Sequence, residues 1–352
     1  MRSLSQDATL WQGGDLRGLP NDRTYLDLGT CANRYGPPAS VAEALQTVDL
    51  ARLRAHPYEA EHLLLSAYAG YLGSSEDELI AGRGITEFIR LFADLLPNKD
   101  VAVLTPDYTD TIQAFTNHLS EAPDTLDSPA ARLARLDEAM ARFAYVFCSN
   151  PNNPLGIYIA ADDLAEVCRA HPRSTLVVDE AYVDFTADGP KRSLIHTDLP
   201  NVVVLLSPNK LFGIAGTRTG AMWTRDTALR EAIAERRLNW SISYLDAVVA
   251  STALRSVDWV ERTRAALLAT ATEMESLLAD RHPRVVTGVP VHYRFVATNA
   301  PLAVHREFVE AGIAVRVFSS SQPGRVSGLR ITAPTAGEFP QLARVLTATW
   351  PA

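Results

Sequence analysis

The chain has 352 residues, of which 47% are hydrophobic, so it can form one large domain and a smaller one. No basic clusters accompany the net charge of −8, and no apolar stretch has the length of a membrane span or a signal-peptide core, so neither nucleic acid nor a membrane is an expected partner. Three cysteines and eight histidines at unrelated spacings predict no disulfide framework and no metal site, and a cytoplasmic location is expected.

The order of apolar runs along the chain predicts three regions. Residues 1–40, rich in Gly and Pro, are expected to form an extended arm. Between residues 41 and 255, strand-like runs alternate with helical ones, which is typical of a mostly parallel sheet covered by helices on both faces. Residues 256–352 are predicted to form a smaller α+β domain that packs with the arm. The predicted fold class is therefore a three-layer α/β sandwich with an added small domain.

The small domain is predicted to contain both helices and strands. Apolar residues at helical spacing predict a helix over residues 267–278 that leads into it. The remaining predicted elements are strands at 284–286, 291–296 and 314–318, and a helix at 301–311.

A glycine-rich turn begins a predicted helix early in the large region. Gly82 and Gly84 allow close backbone approach, and the apolar residues that follow recur at helical spacing, so the helix should begin near Ile85 and Thr86. Amides at such an N-terminus can bind a phosphate. The turn is no dinucleotide fingerprint, because the third glycine of that motif is missing.

Three later apolar runs each end in polar side chains. They are residues 143–148, before the turn that contains Asn153; residues 175–178, before Asp179 and Tyr182; and residues 202–206, before Ser207 and Lys210. In open α/β sheets the carboxyl ends of the strands border the ligand crevice. We therefore expect these groups to meet at one site.

Lys210 is the candidate nucleophile of this site. Burial at a strand end lowers the pKa of a lysine, and the neutral amine can then form a Schiff base with an aldehyde. Each residue alone also has an ordinary explanation: Lys210 and Arg218 as surface charges, Asp179 as a helix cap, Asn153 as a turn residue and Tyr182 as a core tyrosine.

Several motifs together resemble the fold-type-I pyridoxal-phosphate enzymes. They are Asn-Pro-Asn-Asn-Pro-x-Gly at 150–156, Asp-x-x-Tyr at 179–182, Ser-x-x-Lys at 207–210 with arginine eight residues later, and Gly-Leu-Arg-Ile-Thr at 328–332. Within that family, the chain is most similar to the branch of histidinol-phosphate aminotransferase and threonine-phosphate decarboxylase. The resemblance implies pyridoxal 5'-phosphate as cofactor, small amino and keto acids as substrates, and a homodimer.

The resemblance also implies roles at the cofactor ring. Lys210 would hold the cofactor covalently and act as general base, and Asp179 would pair with the pyridine nitrogen. Asn153 and Tyr182 would donate hydrogen bonds to the phenolic oxygen of the ring. Tyr108, which follows the strand-like run 101–104, would stack on the ring.

Phosphate and substrate contacts follow from the same resemblance. The phosphate would be bound by Gly84, Ile85, Thr86, Ser207 and Arg218, and by Tyr58 of a second subunit, with His56 as the competing alignment. Arg330 would bind the substrate carboxylate. Arg316 would meet a second anionic group of the substrate, or else form a surface salt bridge. Asn33 and Tyr35 are the candidates at the substrate entrance.

The sequence departs from the pattern of the branch at three places. Asn209 stands where a small hydroxyl residue usually precedes the lysine, Cys31-Ala32-Asn33-Arg34 replaces Asn-Glu-Asn-Pro, and His56-Pro57-Tyr58 replaces Tyr-Pro-Asp. We therefore expect an aminotransferase with a changed substrate in a biosynthetic route, rather than the histidine-pathway enzyme. The alternatives are a lyase on the same fold and a protein that binds the cofactor without turnover.

Overall fold

The computed structural model describes residues 16–20, 22–96, 100–120, 126–282 and 284–350. Residues 1–15, which include the first part of the predicted arm and the stretch considered for a signal peptide, lie outside the described residues. Ten strands are present in this part of the chain. They are β1 Leu26–Leu28, β2 Leu79–Gly82, β3 Val101–Val103, β4 Tyr145–Ser149, β5 Thr175–Asp179, β6 Val202–Leu206, β7 Gly220–Thr224, β8 Tyr293–Ala297, β9 Ile313–Phe318 and β10 Gly328–Thr332.

Eleven α-helices accompany these strands in the described ranges. They are α1 Ala39–Gln46, α2 Ala60–Leu72, α3 Ile85–Leu95, α4 Thr109–Ala114, α5 Pro129–Arg142, α6 Ala161–Ala170, α7 Thr227–Ala234, α8 Tyr244–Leu254, α9 Val257–Ala279, α10 Pro301–Glu310 and α11 Phe339–Thr349. Short 3₁₀ turns connect several of them. None of the described helices is long and apolar enough to cross a membrane.

Six strands form the larger sheet, in the order β2-β7-β6-β5-β4-β3. Strands β3 to β6 run parallel, and β7 runs antiparallel to both of its neighbours. All five residues of β6 are buried, as expected for a strand covered on both faces by helices. The register pairs Ser149 with Asp179, so the turn after β4 lies beside the end of β5.

The smaller sheet has four strands, in the order β1-β9-β10-β8. Strand β1, from the predicted arm, pairs in parallel with β9, and β10 is antiparallel to β9 and β8. Leu26 and Leu28 of β1 share an apolar core with Met274 of α9 and with Leu342 and Leu346 of α11. The arm therefore contributes a strand to the C-terminal sheet.

Most predicted elements are confirmed, but the strand at 284–286 is wrong. Only Val285 forms an isolated bridge, to Val296 of β8. Backbone bonds from Val286 to Phe295 and from Ala297 to Arg284, at 2.9 and 3.0 Å, attach the segment without extending a ladder. Gly288, with φ +69°, turns the chain two residues after the segment, so the pairing does not extend beyond this single bridge.

Candidate active site

A cavity of about 330 Å³ opens at the carboxyl ends of the parallel strands. Side chains from both sheets line it. The residues of its wall that were predicted from the sequence are Gly84, Ile85, Thr86, Tyr108, Asn153, Asp179, Tyr182, Ser207, Lys210, Arg218, Arg316 and Arg330. The expected meeting of strand ends is thus present in the structure.

Lys210 lies four residues after the end of β6 and points into this cavity. Its Nζ donates a hydrogen bond to the carbonyl oxygen of Thr30 at 3.3 Å. Burial lowers the pKa of Lys210, and the positive charges of Arg330 and Arg218 lower it further. A larger share of Lys210 is therefore a neutral amine near neutral pH, which is the form that attacks a carbonyl carbon.

Asp179 is the last residue of β5 and lines the same cavity. Its Oδ1 accepts a hydrogen bond from the backbone N–H of Ala181 at 2.9 Å. Burial raises the pKa of Asp179 to about 7, which the bond from Ala181 only partly offsets. A carboxylate in these surroundings favours a cationic partner such as a protonated ring nitrogen, because such a partner stabilises its charged form.

Asn153 is held by the turn that follows β4. Its backbone N–H donates to Ser149 Oγ at 3.0 Å, and its Oδ1 accepts a hydrogen bond from Arg330 Nη1 at 2.6 Å. Tyr293 Oη donates to the carbonyl oxygen of Asn152 at 2.6 Å and so fixes the turn against β8. The turn therefore connects the two sheets at the cavity.

Tyr182 and Tyr108 place aromatic rings at the cavity wall. Tyr182 is buried, and its ring packs edge-on against Tyr293 with centroids 5.1 Å apart. Tyr108 Oη donates to Asp110 Oδ2 at 2.9 Å, and Thr86 Oγ1 donates to the same oxygen at 2.7 Å. Burial raises the pKa of Tyr182 well above its ordinary value, so its hydroxyl stays protonated and can donate.

The start of α3 and the end of the Lys210 loop form a cradle for a phosphate. Gly84, with φ +78°, is the N-cap of α3, and an added Cβ there would lie 3.1 Å from Arg218 Nη2. At Gly220 an added Cβ would lie 2.8 Å from the Cα of Gly84. Two glycines therefore allow the helix N-terminus and the arginine to approach each other, and Ser207 lines the same space. These residues fit the phosphate of the implied cofactor.

Arg316 and Arg330 converge on the cavity because their strands are neighbours. They are paired residues of β9 and β10, and paired residues point to the same face of a sheet. Arg330 Nη2 donates to the carbonyl oxygen of Gly29 at 3.0 Å, and Arg316 Nη2 donates to Thr109 Oγ1 at 3.4 Å. Burial lowers the pKa of Arg316 to about 9. Arg316 is therefore a buried cation of the site and no surface charge.

Three predicted residues lie elsewhere in this single chain. Tyr58 is 72% exposed, on the surface of the protein. Asn33 is buried and uses its side chain within the chain: Nδ2 donates to Leu211 O and Oδ1 accepts from Tyr35 N, both at 2.7 Å. Tyr35 is 42% exposed. Asn33 thus braces the loop after Lys210 and does not line the cavity.

The sequence did not single out every residue of the cavity wall. Asp110 and Phe318 line it, and neither belongs to a motif that the sequence revealed. The position of Asp110 in the first turn of α4, two residues after Tyr108, was the available signal for it. Phe318 follows Arg316 by two residues in β9, so its side chain points to the same face of the sheet.

Comparison with known proteins gives consistent matches. The family aminotransferase class I and II matches residues 23–348. A histidinol-phosphate aminotransferase 2 from Idiomarina loihiensis is 27% identical over 85% of this chain and 87% of its own length. The structure of histidinol-phosphate aminotransferase from Sinorhizobium meliloti in complex with pyridoxal-5'-phosphate has a TM-score of 0.78 and 21% identity, over 93% of this chain and 91% of that one. The structure of L-threonine-O-3-phosphate decarboxylase from Porphyromonas gingivalis has a TM-score of 0.76 and 17% identity, over 89% of this chain and 95% of that one.

These matches decide the family. At such low identity the two structural neighbours show a shared fold, and this confirms the predicted fold class. The family match extends over most of the chain, and it confirms the predicted enzyme class, a pyridoxal-phosphate-dependent aminotransferase. The chain belongs to the aminotransferase class I and II family.

Proposed function

We propose that Lys210 carries the cofactor of this aminotransferase and that the cavity around it is the active site. The observation that carries the proposal is that the lysine, with a lowered pKa, shares one cavity with Asp179, Asn153 and Arg218. When bound, pyridoxal phosphate supplies a ring that accepts the electron pair released when a proton leaves the carbon beside the substrate amine.

The residues of the cavity bind and orient the cofactor and transfer the proton. Asp179 binds the ring nitrogen and keeps its proton in place. Tyr108 supports the ring face, and Tyr182 and Asn153 donate hydrogen bonds at its phenolic oxygen. Lys210 Nζ would be the base that takes the proton from the substrate carbon bearing the amine and gives it to the aldehyde carbon of the cofactor.

Phosphate binding is assigned to the cradle at the start of α3. The amides of Ile85 and Thr86 are among the first N–H groups of the helix, which have no partner within it. Arg218 adds a positive charge directly above Gly84. This arrangement would orient the ring relative to Lys210, because it would fix a second point of the cofactor besides the carbon bonded to the lysine.

The substrate is proposed to carry an anionic group besides its amine. Arg330 and Arg316 are buried cations on neighbouring strands, and arginine pairs in a forked geometry with carboxylate or phosphate oxygens. Relatives are named for histidinol phosphate, so this amine is the first donor to test. Asn209 lines the cavity and residues 31–34 directly follow Thr30 of its wall. Both depart from the pattern of that branch, and we propose that the natural donor differs from histidinol phosphate.

The experiment begins with reconstitution of the protein with pyridoxal phosphate. Reduction with borohydride followed by peptide mapping should place the pyridoxyl label on Lys210. A screen of amino donors against keto acids, analysed by mass spectrometry, should then give an aminated product and a matching keto product. Release of carbon dioxide or ammonia instead would indicate a lyase, and label without any turnover would indicate a binding protein. A protein without label would contradict the proposal.

We further propose that the protein is a homodimer. An exposed aromatic cluster, termed the Trp240 patch, consists of His56, Tyr58 and Trp240: His56 stacks on Trp240 with ring centroids 4.0 Å apart, and Tyr58 stands edge-on at 6.2 Å. Leu238, two residues before Trp240, is 72% exposed. Such a surface favours association with a second copy, in which Tyr58 or His56 would approach the partner's cofactor.

We also propose a division into two domains and a cytoplasmic location. The arm up to residue 40 would belong with the domain 256–352, which is supported by the pairing of β1 with β9. Three buried free thiols support a reducing, cytoplasmic location.

A further inference from the structure

A third buried arginine does not line the cavity itself but packs against Phe318, a residue of its wall on the substrate side. Arg325, in the segment between β9 and β10, is only 3% exposed. Within the part of the chain that the structure describes, its Nε, Nη1 and Nη2 atoms have no hydrogen-bond partner. A guanidinium removed from water with no partner is costly for the folded state. Arg325 is therefore an uncompensated positive charge behind the cavity wall, which favours an anion bound on the other side of that wall.

The position of Arg325 is set by Phe318 and by the loop that carries it. Its guanidinium carbon is 5.5 Å from the ring centroid of Phe318, a cavity residue, and that of Arg316 is 5.0 Å from the same ring. Gly324, with φ +66°, packs so closely that an added Cβ would lie 2.7 Å from Thr105 Cγ2. The loop is thus pressed against the larger sheet and holds Arg325 beside Arg316.

The local charge is positive. Burial lowers the pKa of Arg325 to about 10, and the charge of Arg325 helps to lower the pKa of Arg316. Two carboxylates attract Arg325, but Asp107 already accepts hydrogen bonds from Arg132 and Ser149, and Asp110 from Thr86 and Tyr108. Arg316, Arg325 and Arg330 carry three positive charges, which is more than these two carboxylates can offset.

We propose that Arg325 is a specificity-determining residue, which together with Arg316 selects a doubly charged tetrahedral oxyanion, a phosphate monoester or a phosphonate, at the far end of the substrate. This inference rests on the proposed function, because it assigns Arg330 and Arg316 to the substrate. It adds a residue outside the motifs and a charge preference. A singly charged group of the same shape binds more weakly, since it leaves part of the positive charge uncompensated.

The test compares two anions of the same shape and different charge. Methylphosphonate, at a pH where it has lost both protons, and methanesulfonate, a monoanion, are titrated calorimetrically into the pyridoxal-phosphate-saturated protein, so that the cofactor cradle is occupied. The wild type should bind methylphosphonate more tightly. In Arg325→Gln this preference should fall by about tenfold, because one buried positive charge beside Arg316 is removed. Arg325→Lys should keep part of it.

Controls separate selectivity from folding and from the cofactor. Arg306→Gln, at an exposed arginine of α10, should leave the preference unchanged. An unchanged preference in Arg325→Gln, or an equal loss for both anions, would show that Arg325 is structural and overturn the proposal. If Arg325→Gln does not fold, Arg325→Lys is titrated in its place, and the ratio of its affinities for methylphosphonate and methanesulfonate decides. Borohydride labelling of Lys210 is scored separately: missing label contradicts the proposed function, and label with an unchanged ratio contradicts only the role of Arg325.

Discussion

Arg330 of β10 donates a hydrogen bond from Nη1 to Asn153 Oδ1 over 2.6 Å, and this bond connects the smaller sheet to the turn after β4. Arginine has donors only, so Asn153 must present its oxygen to Arg330, and its Nδ2 is left to donate into the cavity. One amide therefore holds the proposed substrate arginine with one end and offers a donor to the cofactor ring with the other.

Substitution of Asn153 should separate these two functions. Asn153→Ala removes the acceptor of a buried guanidinium, and we expect KM for the amino donor to rise by about tenfold. Asn153→Asp keeps an acceptor for Arg330 but loses the Nδ2 donor, so its KM should stay closer to the parental value while the absorbance of the bound cofactor shifts. Steady-state kinetics and absorbance spectra measure both effects. Equal KM values in the two variants would argue against this division.

Lys210→Ala should lose the borohydride label and lower kcat by about a thousandfold or more, since both the attachment point and the general base are removed. The thermal midpoint should change little, because the hydrogen bond of Lys210 Nζ to the Thr30 carbonyl is long, at 3.3 Å. Lys191, which is exposed, offers a matched control, and Lys191→Ala should be labelled as the parent is. Parental turnover in Lys210→Ala would refute the proposed mechanism.

Much of the fold was predictable because the central strands are continuous apolar runs. Residues 202–206 were predicted as a strand and form β6 with the same bounds, since a fully buried strand needs no polar residue on either face. The helix predicted to begin near Ile85 and Thr86 begins at Ile85, because Gly84 supplies the positive φ at its N-cap. Local sequence sufficed for these elements.

What the sequence could not predict depends on contacts between distant segments. Arg325 has no motif, and its burial follows from the packing of Gly324 against Thr105, more than two hundred residues earlier in the chain. Asn33, predicted at the substrate entrance, instead bonds to Leu211. Tyr58, assigned to the cofactor of a second subunit, lies on the surface of its own chain. Each of these depends on tertiary or quaternary neighbours that residue spacing does not encode.

The assembly is expected to depend on the surface around the Trp240 patch. Leu238→Glu places a charge where a second copy would bury an apolar side chain, so we expect a monomer with reduced turnover. Leu302 is 45% exposed on α10, and Leu302→Glu is the control that should remain dimeric. Light scattering with size-exclusion chromatography measures both. A parental protein that is a fully active monomer would contradict the dimer.

A buried ion pair behind the active site should contribute strongly to stability. Arg132 of α5 is 1% exposed, and its Nη2 donates to Asp107 Oδ2 at 3.1 Å and to the carbonyl oxygen of Leu104 at 3.0 Å. Arg132→Met leaves the buried carboxylate without its cation, and the free energy of unfolding should fall by about 3–5 kcal/mol. Urea denaturation measures this. Arg142→Met, at an exposed arginine of the same helix, should change it little.

Glu180, the neighbour of Asp179, should make stability depend on pH. It is 2% exposed, its Oε1 accepts a hydrogen bond from Leu194 N at 2.9 Å, and its Oε2 has no partner among the described residues. Burial raises the pKa of Glu180 from 4.5 to about 8. Between these two values the folded protein keeps a proton that the unfolded chain releases, so the free energy of unfolding decreases as pH rises from 4.5 towards about 8.

Glu180→Gln cannot ionise, and relative to the parent it should gain stability steadily across this window. Urea midpoints at about pH 5 and about pH 8.5 measure the gain. Glu166→Gln, at an exposed glutamate of α6, is the control, and a Glu180→Gln midpoint that follows the parent at both pH values would show that Glu180 is already ionised in the folded state.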